Sequence, residues 1–238
     1  MHLFRMAGGL RPHRVQKQAC RAAVAAVLGE EAADELMLET GIAGLSDLLP
    51  DGPRDLAALS EELQPFVDLY RAVAARTGRD VALAAARQAI VRSAIVGFAS
   101  EDEALRREVA GGQRPAEPRL NLTGPPPAGF RVAREELQRR FAASLRFFSC
   151  EGQLLEYTPE RVRFSITDCN WVRAMQRAGA PELAAFFCES DERFADGHPT
   201  HRLERPTAIG LGHASCEFRF VPRGEADAAS GGTSDHDR

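Results

Sequence analysis

The chain has 238 residues, 44% of them hydrophobic and 27% charged, with a formal net charge of −4. That length and balance suit one or two folded domains with a sizeable core and exclude global disorder. A mildly acidic chain also lacks the basic field that nucleic acid would require. Arginine carries almost all the positive charge, with Lys17 the single lysine, and alanine is abundant. This is the signature of a GC-rich, bacterial-type genome.

The first half reads helical. "HRVQKQACRAAVAAVLGEEAADELMLETG" keeps apolar residues at helical spacing until Gly41. After the turn-rich "LLPDGPRD", a second helix is expected from about Arg54 to Thr77, with Leu56, Leu59, Leu63, Phe66, Val67 and Tyr70 on one stripe. Pro65 sits inside it as a candidate kink. Gly78 ends that helix, and Asp80 is placed to cap a third, Val81 to Phe98. That third segment is the most apolar stretch, but Arg87 and Arg92 interrupt it, well short of the roughly 20 apolar residues that span a bilayer. The start, "MHLFRMAGGLRPHR", has no apolar run of signal-peptide type, so a cytoplasmic location is expected. Alanine-rich helices can approach closely, within one chain or between copies in a homo-oligomer.

Residues 111–130, "GGQRPAEPRLNLTGPPPAGF", read as a Pro/Gly-rich linker that divides a helical region (1–110) from an α+β region (131–222). "VAREELQRRFAASLRFF" is an amphipathic helix with Leu137, Phe141, Leu145 and Phe148 on one side. "GQLLEYTPERVRFSITD" reads as a hairpin, with Val162, Phe164 and Ile166 on one face of its second strand and Arg161, Arg163 and Ser165 on the other. Two short helices follow, "NWVRAMQRAG" and "PELAAFFCESDERFA", with Pro181 suited to a first turn. "HRLERPTAIGLGHASCEFRFVP" then reads as two antiparallel strands joined through Gly210 to Gly212, with Cys216, Phe218 and Phe220 sharing a face. The tail, 223–238, is small and polar and is expected to be disordered. The fold class is therefore α+β: a helical N-terminal half packed on a C-terminal antiparallel sheet with short helices.

The chemistry is carried by thiols. The cysteines are Cys20, Cys150, Cys169, Cys188 and Cys216; an odd number in a chain this long reads as free thiols. Cys169 follows Asp168 at a strand-to-helix junction. With Thr167 or Asp168 as cap, it falls in the first turn, where backbone amides favour a thiolate. Cys188 and Asp191 are one turn apart on one helix. An aspartate between the aromatic positions Phe186, Phe187 and Phe194 calls for a reason. Together Cys169, Cys188, Asp191 and Cys216 describe a pocket in which a thiolate attacks an electrophilic carbon and a carboxylate moves the proton.

Other readings compete. Free cysteines are commonly small apolar filler, and Cys20 and Cys150 are assigned that role. Cys169, Cys188, Asp191 and Cys216 also add up to a four-ligand zinc set, although no C-x-x-C pair is present; without zinc no cofactor is expected. His198, His201 and His213 read as exposed loop histidines, and Arg161 and Arg163 as solvated strand residues. Arg205, beside Pro206 and Thr207, is the candidate for holding a substrate carboxylate. Glycine-rich phosphate loops, G-x-S-x-G and H-E-x-x-H are absent from the sequence.

The order of these elements is distinctive. "LNLTGPPP", "FSITDCNWVRAMQRAGAPELAAFFCESDERFADG" and "RPTAIGLGHASCEFRF", over about residues 119–221, resemble the L-2-amino-thiazoline-4-carboxylic acid hydrolase family. The resemblance implies an α+β fold and hydrolysis of a non-peptide carbon–nitrogen bond in a small cyclic amidine-like thiazoline that bears a carboxylate. It carries Cys169, Cys188, Asp191, Arg205, Thr207, Gly212 and Cys216 as pattern residues. In the chemistry it implies, Cys188 or Cys169 is the nucleophile, Asp191 binds the amidinium, and Arg205 with Thr207 receives the carboxylate. The late cysteines and the Gly-x-x-x-Cys-x-Phe strand also resemble the 4-vinyl-reductase-like domain, a small-molecule sensor that can hold zinc. Cleavage of a metal–carbon bond by a Cys–Asp–Cys set is a third reading, by analogy of residue types alone. The expected partner is a small molecule, with no nucleic acid and no membrane.

Overall fold

The computed structural model describes residues 12–45, 55–93, 120, 126, 130–147, 149–196 and 201–223. Most of the expected linker, all of the expected tail but Arg223, and His198 lie outside them. The described residues form seven α-helices and a four-stranded antiparallel sheet, so the fold is α+β.

Helix α1 (Pro12–Leu28) and α2 (Glu30–Glu39) come from the stretch that sequence periodicity reads as one run. The run breaks at Gly29, whose φ of 89° ends one helix and starts the next. Helix α3 (Leu56–Thr77) begins where the Asp55 carboxylate accepts a hydrogen bond from Ala58 N at 2.8 Å. It continues through Pro65 as one helix. Gly78, also at φ 89°, separates it from α4, residues 79–93, so Asp80 lies inside α4 and does not cap it. No helix among the described residues is long and apolar enough to cross a membrane.

Helix α5 (Arg134–Phe147) leads into the hairpin of β1 (Cys150–Tyr157) and β2 (Val162–Cys169). Helix α6 (Asn170–Arg177) follows β2 directly; a 3-10 turn, Pro181–Leu183, leads into α7 (Ala184–Asp196). Strands β3 (His201–Glu204) and β4 (Cys216–Pro222) complete the sheet, in the order β1-β2-β4-β3. The alternation read from sequence holds: Val162, Phe164, Cys216, Phe218 and Phe220 are buried. Phe164 stacks on Phe218 with centroids 4.6 Å apart and on Phe220 at 6.5 Å, while Phe141 of α5 tilts onto Phe164 at 5.5 Å.

The helical half and the sheet half meet through α3, α4, α6 and α7. Tyr70 donates to Glu182 at 3.0 Å, Arg71 to the carbonyl of Ala178 at 2.5 Å, and Arg87 of α4 to Glu189 of α7 at 2.6 Å. Val172, Met175 and Leu183 join the apolar cluster of the N-terminal helices, and Cys169, Trp171 and Ile209 touch both that cluster and the sheet cluster. These three residues mark the seam.

The hairpin has a register shift beside Gly152. A Cβ there would lie 2.0 Å from the carbonyl oxygen of Ser165 on the facing strand. Gly152→Ala is therefore expected to push β1 off β2 and cost about 1–3 kcal/mol or more, read as a lower denaturation midpoint in urea.

Candidate functional site

A cavity of about 290 Å3 lies along the seam. Alanines of α4 line one side, with Ala85 and Ala89 keeping that wall thin; Phe164, Phe218 and Phe220 of the sheet line another. Cys150, Cys169, Cys188, Cys216 and Asp191 all face it. The four late sulfurs thus come from three strands and one helix to a single hollow. The sequence groups Cys169, Cys188, Cys216 and Asp191; the fold adds Cys150, which the sequence assigns as filler.

The signal for Cys150 is in the hairpin. Cys150 opens β1, Cys169 closes β2, and the antiparallel register sets them opposite each other. Both stand at the same remove from the Thr158–Arg161 turn, so a hairpin reading already implied their meeting. The Cys150 thiol hydrogen-bonds the Cys169 sulfur. Cys169 is itself the N-cap of α6, in an extended conformation, so neither Thr167 nor Asp168 takes that role; Asp168 instead pairs with Arg173 at 2.8 Å. The Cys169 side chain makes no cap hydrogen bond, but the amides of Val172 and Trp171 in the first turn of α6 also favour its anion. Donors gathered on one sulfur favour its anion. The Cys169 pKa is held below the ordinary thiol value by the Cys150 thiol first, then by these amides, against the opposing effect of burial. Cys150, the donor in the pair, is pushed far up by that bond and by burial.

A second pair repeats the pattern. The Cys188 thiol bonds to Cys216, which also accepts from Ile209 N at 3.2 Å. Cys216 is lowered, chiefly by the Cys188 thiol, and Cys188 is raised by the same bond and by burial. Gly210 allows this approach. A Cβ at that position would lie 2.7 Å from the Cys188 sulfur and 3.0 Å from the carbonyl oxygen of Ala184, so the turn can rest on α7 only without a side chain.

Asp191, one turn beyond Cys188, is surrounded by protein while a third of its side-chain surface stays accessible, on the wall of the cavity (34%). Burial raises its pKa to about 7, with Cys188 and Glu192 adding to the rise and Arg205 opposing it. Arg205 donates to Asp191 Oδ2 at 3.1 Å, to Glu192 Oε1 at 2.9 Å and to the carbonyl of Cys188 at 2.5 Å, and its guanidinium lies 5.6 Å from the Phe218 ring centre. Its side chain is 1% exposed. Arg205, expected to receive a substrate carboxylate, is thus engaged by Asp191, Glu192 and the Cys188 carbonyl; it is not on the wall of this cavity but borders a second hollow with Glu192 and Arg193. Thr207 is likewise absent from that wall, its hydroxyl oxygen buried and without a hydrogen-bond partner.

The remaining candidates fall outside. His201 is not an exposed loop residue: it opens β3 and is 6% exposed, buried away from the cavity. His213 is exposed, its Nδ1 near the backbone of Ala208. Cys20 does reach the cavity wall, from α1, where burial alone pushes its thiol up to about 12. The zinc reading does not fit: among the described residues no three His, Cys, Asp or Glu side chains converge to hold a metal. Cys169 instead pairs with Cys150, Cys188 with Cys216, and Asp191 with Arg205.

The polarisation of the first pair is measurable. In the native protein, iodoacetamide is expected to modify Cys169 ahead of Cys150 and Cys188, at a pH below that of an ordinary thiol. Cys150→Ala should shift the Cys169 rate–pH curve upward, because the thiolate loses its main donor; peptide mapping of the alkylated sites reads both.

No curated protein matches the chain. One solved structure, a mutant H-NOX protein from S. oneidensis in the Fe(II) ligation state, is similar at 15% identity with a TM-score of 0.37, over 88% of this chain and 95% of that one; a likeness this loose carries no argument. The family model described as L-2-amino-thiazoline-4-carboxylic acid hydrolase matches residues 60–220, a span that runs from α3 to β4 and holds both thiol pairs, Asp191 and Gly210. With more than half its length matched, the chain belongs to the L-2-amino-thiazoline-4-carboxylic acid hydrolase family.

Proposed function

We propose that the protein hydrolyses a carbon–nitrogen bond at an amidine-type carbon of a small molecule, with Cys169 as nucleophile and Asp191 as the group that grips the amidinium. The observation that carries this reading is the position of the Cys169 sulfur: it stands on the cavity wall, opposite Cys150 across the hairpin and at the N-cap of α6, surroundings that lower its pKa. Cys188, the other candidate, has its pKa raised by its contact with Cys216 and by burial, which disfavours its thiolate. Cys216 shares the lowered pKa but is 4% exposed, whereas Cys169 is only half-buried.

The chemistry balances with these groups. The thiolate adds to the amidinium carbon, and the positive charge is neutralised in a tetrahedral adduct. Asp191, bridging the two nitrogens, takes a proton from the one that stays and gives it to the one that leaves. Loss of the amine forms a thioimidate on Cys169. Water adds to its carbon, Asp191 accepts the water proton, and the sulfur departs as thiolate. One water is consumed and one carbon–nitrogen bond is cut. Arg205 keeps part of the Asp191 population ionised near neutrality. The thiazoline substrate that names the family contains such a carbon, and the family membership supports the reaction class.

A non-catalytic binding module is the second reading, favoured by the nearly unbroken apolar wall of the cavity. Turnover separates the two. With a panel of 2-amino-thiazolines and simple amidines followed by mass spectrometry, Cys169→Ala is expected to lose on the order of 10³-fold in kcat and Cys188→Ala less than about tenfold. Asp191→Asn should lose about 10²-fold, and with it the rise in activity as pH climbs through about 7. A wild-type protein that turns over none of the panel, or a Cys169→Ala variant that keeps full activity, would end the proposal.

A further inference from the structure

We propose that Cys150 and Cys169 form a redox modification site, which a hydroperoxide closes to a disulfide and an external dithiol reopens. The linkage itself stands on the geometry of the hairpin. Its consequence, that the closed form has lost its nucleophile, rests on the reading of Cys169 given above.

The hairpin presents the two sulfurs to each other. Cys150 and Cys169 are direct partners across β1 and β2. One residue outside them, the Asn170 amide donates to the carbonyl oxygen of Ser149 at 3.0 Å. That bond makes Cys150 and Cys169 a non-hydrogen-bonded pair, the closer of the two kinds in an antiparallel ladder, with Cα atoms about 4.5 Å apart. Disulfides form over Cα separations of about 4.4–6.8 Å. Both side chains face the cavity, so the sulfurs stand on one side of the sheet. Closing the bond calls for side-chain rotation, with the strands already at a suitable separation.

Ser149 fixes the end of the strand. Its φ of 56° lies in the left-handed region, which residues with a side chain seldom adopt, and its amide donates to the carbonyl of Arg146 at 3.0 Å. Backbone in such a conformation is held there by its surroundings. Here it sets the next residue, Cys150, opposite Cys169. Exposure then decides which sulfur an oxidant meets. Cys169 is half-buried on the wall of the hollow, whereas Cys150, Cys188 and Cys216 are all buried. A small hydroperoxide entering the hollow reaches Cys169 first, and Cys150 is the thiol beside it.

Atoms and electrons balance in two steps. The Cys169 thiolate attacks the outer oxygen of the hydroperoxide and the O–O bond breaks. The sulfur gives up two electrons and becomes a sulfenic acid, while the departing alkoxide or hydroxide takes a proton from water. The Cys150 sulfur then attacks the Cys169 sulfur; the S–O bond breaks, and hydroxide leaves with the Cys150 proton as water. The first step prepares the second. The bond to Cys169 is the leading cause that holds the Cys150 thiol far up, and it disappears once Cys169 is a neutral sulfenic acid. A dithiol reverses the closure by two exchanges and is itself oxidised to a disulfide.

Peptide mapping tests the linkage, because Cys150, Cys169, Cys188 and Cys216 fall on separate tryptic peptides: 147–161, 164–173, 178–193 and 203–219. The reduced protein is given one equivalent of hydrogen peroxide, quenched with N-ethylmaleimide and digested without reductant. Peptide 147–161 is expected joined to 164–173, two hydrogens lighter than the separate pair, with two thiols fewer per chain to alkylate; dithiothreitol should restore both. In Cys150→Ser, Cys169 should stop at the sulfenic acid and be captured by dimedone on 164–173. Cys169 driven to sulfinic acid in the wild type while Cys150 is still alkylated would overturn the inference. So would preferential linkage of 178–193 to 203–219. The wild-type map decides alone if the variant does not fold. Turnover of the same samples separates this from hydrolysis. Activity lost on linkage and regained with dithiothreitol supports both readings. Linkage in a protein that hydrolyses no amidine in either form leaves the redox site standing and sinks the hydrolase. Undiminished turnover at full linkage also leaves the site standing and removes Cys169 as nucleophile.

Discussion

The register of the β1–β2 hairpin is the constraint on which the rest depends. It sets Cys150 opposite Cys169 at the open end of the hairpin, where β2 gives way to α6. A slip by one residue would turn Phe164 away from Phe218 and carry one sulfur to the far face. The same register aligns Ile166 with Cys216 across β2 and β4, which brings the second thiol pair alongside the first. Gly152 holds the register shift in place because no side chain fits against Ser165.

Given that frame, hydrogen bonding divides four similar residues into two donors and two acceptors. Cys150 and Cys188 are raised and Cys169 and Cys216 lowered, with Cys169 at the start of α6 and the Ile209 amide donating to Cys216. Burial alone would raise all four, as it raises Cys20. Geometry decides the outcome here, with a helix start and a tight turn each aimed at one sulfur. Asp191 follows the opposite logic: an ion pair that would lower an exposed carboxylate is outweighed by desolvation.

Much of this was legible in the sequence. Alternation along "RVRFSITD" and "CEFRFVP" fixed the buried faces of β2 and β4, and the Cys-x-x-Asp spacing placed Cys188 and Asp191 on the cavity side of α7. The break at Gly29 was harder to read, because the apolar spacing runs through it and only a positive φ stops the helix. Cys150 was missed because its partner is nineteen positions away and the link is a pairing across strands, not a local spacing. The engagement of Arg205 is not legible for a related reason: that an arginine lies beside an aspartate in the fold is known only from the fold, where the ion pair occupies the guanidinium and leaves Asp191 on the cavity wall. His201 looked exposed because it is preceded by Gly197, Pro199 and Thr200, while the strand that buries it starts at that very residue.

The alanines of α4 have a consequence for compressibility. Small side chains at Ala82, Ala85 and Ala89 leave the hollow unfilled where leucines would close it. Atoms that line the hollow give up packing contacts that a filled core would supply. A fold that keeps such space has given up rigidity under hydrostatic load, since squeezing the chain into water removes the void and shrinks the system. Room for a guest and resistance to pressure are here opposite ends of the same choice of residues.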